Sequence, residues 1–139
     1  MLGTSASIEI KTSPKSVYEI ITNFEKYPEF LPETKKVEIK KVGRSPQVYF
    51  EIQVIKRIGY LLQFDLKPPF AISWKLLEGV IFKKNNGSWK LKEVKKGVTK
   101  ATYTLDVEFG VPVPKMITSM LVGNSLPQLL KRFKERAEA

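Results

Sequence analysis

The chain has 139 residues, 42% of them hydrophobic and 11% aromatic, which allows one packed domain and argues against global disorder. It has no cysteine and no histidine, so disulfide scaffolds, thiolate metal sites, thiol nucleophiles and every catalytic arrangement built on imidazole are excluded. Twenty-four Lys/Arg against fourteen Asp/Glu give a formal net charge of +10, which either favours an anionic partner or simply keeps the surface hydrated.

Met1 to Ser7 has neither the basic start nor the apolar core of a secretory signal. The longest uncharged run, Met116 to Leu130, contains Gly123, Asn124 and Pro127 and falls short of a bilayer span. A cytoplasmic protein is expected, with peripheral membrane contact as a second expectation.

Ser5 to Lys11 alternates apolar and polar residues as a half-buried strand does. Ser13-Pro14 then offers a cap residue and a proline at the first helical position, and Val17, Ile20, Ile21 and Phe24 follow at helical spacing. Asn23 to Pro32 reads as a second, short helix with Tyr27, Phe30 and Leu31 on its apolar side. From residue 34 the period changes to two. Strands are expected at Lys35–Lys41, Gln47–Ile55, Tyr60–Lys67, Ala71–Leu77, Ser88–Val94 and Thr99–Phe109. Turns are expected at residues 42–46, Arg57-Ile58-Gly59, Pro68-Pro69, Asn85-Asn86-Gly87 and Lys95-Lys96-Gly97. Such short connections predict an antiparallel meander, because parallel pairs need long crossovers.

The alternation assigns faces. Val48, Phe50, Ile52, Leu62, Phe64, Leu66, Ile72, Trp74, Leu76, Trp89, Leu91, Tyr103, Leu105, Val107 and Phe109 share the greasy face, and polar residues occupy the other. The cover for that face is a helix over Pro114 to Ala137, long enough at about 1.5 Å per residue to cross the sheet. Val122, Leu126, Leu129, Leu130, Phe133 and Ala137 form its core stripe, while Met116, Ile117, Met120 and Leu121 cluster on nearly the opposite side. Pro127 predicts a kink. The first half of the helix is expected to touch a cavity, a ligand or a partner, unless its apolar residues are plain core beneath a loop. Its methionines suit an adaptable wall.

The segment Ser13 to Pro32, ending Tyr27-Pro28-Glu29-Phe30-Leu31-Pro32, resembles the opening signature of the polyketide cyclase/dehydrase and lipid transport (START-like, SRPBCC) superfamily, and most of all its coenzyme Q-binding, Coq10-like branch. Gly87-Ser88-Trp89 resembles the family's Gly-x-Trp strand start, and Phe133-Lys134-Glu135-Arg136-Ala137 its terminal helix ending. The resemblance spans essentially the whole chain. It implies an α+β helix-grip (START/Bet v 1-like) fold: a curved seven-stranded antiparallel sheet around a long kinked C-terminal helix, with two short helices after strand 1. It also implies a single ligand-binding domain over residues 1–139 with an apolar cavity between sheet and helix. Asn23 stands where many relatives have aspartate, and is expected to cap the second helix. No catalytic motif and no cofactor carry over.

The expected lining combines the greasy face with the adaptable half of the helix: Phe30, Leu31, Phe50, Ile52, Leu62, Phe64, Trp74, Trp89, Tyr103, Leu105, Met116, Met120 and Leu121. For any single one of these, ordinary core is the commoner role, so the claim concerns the set. Tyr103 is the candidate polar orienter, because a phenol on an apolar face needs a hydrogen-bond partner. If residues 57–59 form a turn, Glu51 and Asp65 sit opposite each other on the wet face, the minimum for acid–base work. Bulk solvent, Arg57 and Lys67 would quench such a pair, so catalysis is not expected there.

Three functions stay open. The first is non-catalytic binding or carriage of a hydrophobic small molecule: an isoprenoid quinone, another lipid or a polyketide. The second is a ribosome- or RNA-associated regulator, supported by a basic patch of Lys83, Lys84, Lys90, Lys92, Lys95, Lys96 and Lys100. The same patch would suit transient contact with an anionic membrane. The third is a cyclase or dehydratase acting on a polyketide. The proline-rich Phe109–Pro114 connection is the expected movable lid.

Overall fold

The computed structural model describes residues 2–54, 56–116 and 126–139. Its strands are β1 (Leu2–Ile10), β2 (Thr34–Lys41), β3 (Gln47–Val54), β4 (Lys56–Lys67), β5 (Ala71–Gly79), β6 (Phe82–Lys95) and β7 (Val98–Phe109). They form one seven-stranded sheet in the order β1-β7-β6-β5-β4-β3-β2. Every pairing is antiparallel, as the short connections require. Register shifts between Thr34 and Lys36, Leu61 and Leu62, Phe82 and Lys84, and Glu93 and Lys95 bend the strands and help the sheet curve.

Helix α1 (Pro14–Thr22) starts as the sequence implies: the Ser13 hydroxyl accepts the Ser16 backbone N–H at 3.2 Å and Pro14 occupies the first turn. Val17, Tyr18 and Ile21 form its buried face. A short 3-10 helix (Phe24–Glu29) follows directly. Asn23 does not cap it with its side chain, contrary to expectation. The junction is closed by backbone instead: the Asn23 N–H donates to the Glu19 carbonyl, and the Asn23 carbonyl accepts the Lys26 N–H, each at 3.1 Å.

Helix α2 (Leu126–Glu138) lies across the sheet and packs on β1 and α1. Leu126, Leu130 and Phe133 are buried, and Leu129 and Ala137 pack at the edge of the core. These are the residues the helical stripe places there. Pro127 follows Leu126 in α2. Lys115 and Met116 are helical. The rest of the expected long helix up to residue 125, including the expected kink, lies outside the described residues. Among the described residues no helix is long and apolar enough to cross a membrane.

Two expected turns are strand instead. Arg57-Ile58-Gly59 belongs to β4, which pairs with β3 down to Val54↔Lys56. Asn85-Asn86-Gly87 lies inside β6, and the β5–β6 connection is residues 80–81. In both cases the glycine makes room for an aromatic ring on the same face. A Cβ at Gly59 would fall 2.3 Å from the Tyr49 hydroxyl, and one at Gly87 2.3 Å from Trp74 Cζ2. The register consequence is direct: Glu51 faces Gly59 and Asp65 faces Ser73, so the expected carboxylate pair does not form.

Candidate ligand-binding site

The inward residues divide into two apolar clusters. One joins α1, α2 and most strands, with Ile10, Ile21, Phe50, Phe64, Trp89, Leu130 and Phe133 among its members. The other gathers Ile52, Ile58, Ile81, Phe82, Leu105 and Val107. Tyr60, Trp74, Leu76 and Tyr103 pack against both and are only partly buried. Where they do so, the side chains leave a cavity of about 210 Å³. One water needs only about 10–15 Å³ by this measure, so the interior is not solid.

The cavity is walled by Phe50, Ile52, Leu62, Phe64, Trp74, Trp89, Tyr103 and Leu105, expected from alternation, and by Leu31, expected from the apolar side of the short helix. Among the described residues, Ile21, Tyr27, Glu33, Thr34, Tyr60, Phe82, Asn85, Val107, Leu126, Leu129, Arg132 and Phe133 also line it. Tyr60 has the strand parity of Leu62 and Phe64, and Val107 that of Leu105, so both were legible in principle. Asn85 was hidden by its reading as a turn. Phe30 is not in the wall. Its ring lies edge-on to Phe133 at 5.1 Å between centroids, with the Arg136 guanidinium 5.2 Å from its centre. Met116 is 61% exposed and also stands outside the wall. Met120 and Leu121 lie outside the described residues.

Aromatic rings form a continuous band around the space. Phe50 stacks on Tyr27 and Tyr60, with centroids at 6.0 and 5.7 Å. Phe64 meets Trp74 at 5.8 Å, Trp74 meets Tyr103 at 5.6 Å, and Tyr103 meets Trp89 at 5.0 Å. Such rings give large contact area at little conformational cost.

Polar groups are few. The Tyr27 hydroxyl donates to the Ile21 carbonyl. The Trp74 indole N–H donates to Asn85 Oδ1 at 3.3 Å. At the α2 side, Arg132 Nη1 contacts both carboxylate oxygens of Glu33 at 3.3 and 2.9 Å, which ties the segment after the 3-10 helix to α2. Among the described residues, the Tyr60 and Tyr103 hydroxyls make no hydrogen bond. Burial pushes both phenols well above their ordinary value, and each of them raises Tyr27 further. Both rings are partly buried and line the cavity.

The basic residues split by partner. Lys83 pairs with Glu108 at 3.6 Å and Lys84 with Asp106 at 2.7 Å. Lys90, Lys92, Lys95, Lys96 and Lys100 are exposed on the outer face, with Lys92 directly opposite Lys100. The start of the Phe109–Pro114 connection is tied down, because the Gly110 N–H donates to the Ile81 carbonyl at 2.9 Å.

No curated protein matches the chain. Solved structures do. A START superfamily protein from Mycobacterium smegmatis superposes with a TM-score of 0.84 at 25% identity, covering 98% of this chain and 97% of its own. The Zhui aromatase/cyclase from a Streptomyces species superposes at 0.87 with 19% identity, covering 98% and 93%. A protein from Thermus thermophilus superposes at 0.85 with 20% identity, covering 97% and 96%. These likenesses agree with the helix-grip architecture of a curved antiparallel sheet holding a C-terminal helix. The sequence profile described as polyketide cyclase/dehydrase and lipid transport matches residues 10–134, and this chain belongs to that family.

Proposed function

We propose that the protein binds and carries a hydrophobic small molecule, an isoprenoid quinone or another lipid, without transforming it. The observation that carries this reading is the cavity of about 210 Å³ walled by aromatic and aliphatic side chains between sheet and α2. A void of this size lowers stability unless something fills it, because its lining loses dispersion contacts. A greasy guest restores those contacts, and the apolar wall takes it out of water at roughly 25 cal/mol per Å² of apolar surface. Among the described residues, the titratable lining groups are three tyrosines and one Glu33–Arg132 ion pair, which suits retention of cargo better than acid–base chemistry.

Carriage requires contact with the membrane that supplies the cargo. The exposed lysines Lys90, Lys92, Lys95, Lys96 and Lys100 support transient attraction to an anionic surface, worth about 1 kcal/mol for each residue near it. Organic extraction of the purified protein followed by mass spectrometry is the test. A quinone or lipid in near-stoichiometric amount is expected. An empty extract, together with no uptake from loaded vesicles, removes the reading.

A further inference from the structure

Strands β1 and β2 are the two edges of the sheet, and they are finished differently. Edge β2 carries Lys35, Lys36, Lys40 and Lys41 and is broken by register shifts, devices that keep a further strand from adding to it. Edge β1 pairs with β7 in unbroken register from Leu2 to Ile10. It has no charged side chain before Glu9, and from Gly3 to Ser7 nothing larger than threonine.

Several contacts show which backbone groups of β1 point away from β7. The Glu9 carbonyl accepts from Lys134 Nζ at 2.9 Å and the Lys11 N–H donates to Glu138 Oε2 at 2.8 Å, both on α2. The Thr104 carbonyl points to β6, 2.7 Å from where a Cβ on Gly87 would sit. Ser5, opposite Thr104, therefore belongs to a pair that exchanges no backbone bonds. Such pairs bring side chains close, and the Ser5–Thr104 and Ser7–Thr102 hydroxyls meet at 3.2 and 2.9 Å. Alternation thus turns the N–H and C=O of Gly3, Ser5 and Ser7 outward, and among the described residues those of Ser5 and Ser7 have no partner. Side chains of α2 close the edge at Glu9 and Lys11, while Ser5 and Ser7 stay exposed.

We propose that this open stretch of β1 pairs with the same stretch of a second copy, antiparallel about a two-fold axis at Ser5, joining two sheets into one. Ser5 then exchanges backbone bonds with its own copy, and Gly3 with the copy's Ser7, so every outward group of the stretch is satisfied. Thr4 meets the copy's Ala6 on the inner side and Ser5 meets Ser5 on the outer, small residues that let the strands close up. The register stops short of Glu9, so the α2 contacts survive. Charge selects the partner: at a net +10 two copies repel over most of their surface, and this strip brings no charge to the seam. In the joined sheet both outer faces lie on one side, so the exposed lysines of β6 and β7 in both copies would meet the same anionic surface. The dimer itself does not depend on that membrane reading.

The test is sedimentation velocity on the full chain. A monomer–dimer equilibrium is expected within about 1–100 µM, as suits a small interface. Ser5→Lys sets two lysines against each other across the axis, and Ser5→Pro removes an outward N–H while leaving the β7 ladder whole. Each should weaken the dimer at least about tenfold, since the symmetry applies the loss twice. Ser73→Lys, the same change at an exposed position on central strand β5, should leave it unchanged. Circular dichroism checks the fold, and if Ser5→Pro fails to fold, Ser5→Lys still decides. The absence of cysteine allows a direct reading of the seam: Ser5→Cys should be linked to its copy by a short bis-maleimide, and Ser73→Cys should not. A monomer throughout the range overturns the proposal and leaves the edge to a strand of another protein. A dimer indifferent to Ser5→Lys and not linked through Ser5→Cys overturns it by placing the interface elsewhere.

Discussion

The indole of Trp74 occupies the volume that a side chain at residue 87 would fill. A Cβ added to Gly87 would lie 2.3 Å from Trp74 Cζ2 and 2.7 Å from the Thr104 backbone carbonyl. Backbone cannot yield as a flexible side chain does, so Gly87→Ala should destabilise the fold by about 1–3 kcal/mol. Urea unfolding followed by tryptophan fluorescence would show it. The same change should push Trp74 into the cavity and weaken ligand retention, whereas an unchanged midpoint would contradict this packing.

Phe133 anchors α2. It is 3% exposed and meets Tyr27, Phe30 and Trp89 with centroids at 5.5, 5.1 and 5.1 Å. Truncation to alanine enlarges the existing void and removes three ring contacts, so Phe133→Ala should cost about 3–5 kcal/mol. A loss below about 1 kcal/mol in equilibrium urea unfolding would show that α2 is held by something else.

Filling the cavity should separate binding from folding. Leu105 is 7% exposed and belongs to the wall. Leu105→Trp places a large side chain in the space, at a strain of about 1–3 kcal/mol. Its circular dichroism spectrum should match that of the parent, while bound lipid in organic extracts disappears. Undiminished cargo would place the ligand elsewhere.

Alkaline pH should loosen the fold through its tyrosines. All five are held above the ordinary value of 10.0, with desolvation the leading cause for each. Groups whose folded value is raised contribute stability that is complete below their unfolded value and is lost as pH climbs past it. The urea midpoint should therefore fall as pH rises above 10.0, and tyrosinate absorbance should appear together with unfolding. The Tyr60→Phe, Tyr103→Phe double variant should lose less over the same window.

The Glu33–Arg132 contact is geometrically close but half open, with side-chain exposures of 41% and 25%. A double-mutant cycle with Glu33→Gln and Arg132→Gln should give a coupling of only about 0.2–1 kcal/mol, shrinking as salt is added. A larger, salt-insensitive value would mean the pair is sealed from water.

Strand faces were legible because alternation is local: Val48, Phe50, Ile52, Leu62, Phe64 and Leu105 are buried as their parity requires. Helix α1 was legible because Ser13 and Pro14 are a local start signal. Gly59 and Gly87 were misread because a glycine that clears space for Tyr49 or Trp74 looks, in sequence, like a glycine that makes a turn. That difference exists only once the rings are placed in three dimensions. The error propagated: it moved the β3–β4 register, invented the Glu51–Asp65 pair and hid Asn85. Arg132 escaped notice for a similar reason, since its partner Glu33 is 99 residues away.

The edge pairing of β1 with β7 has a consequence for how the chain folds. Partners such as Leu2↔Val107 and Ile10↔Thr99 are roughly a hundred residues apart. Strand β1 must therefore wait, unpaired along this edge, until β7 emerges. Closure of that long loop makes the final ladder an entropically late event, and folding should be paced in the slow range typical of non-local β-sheets.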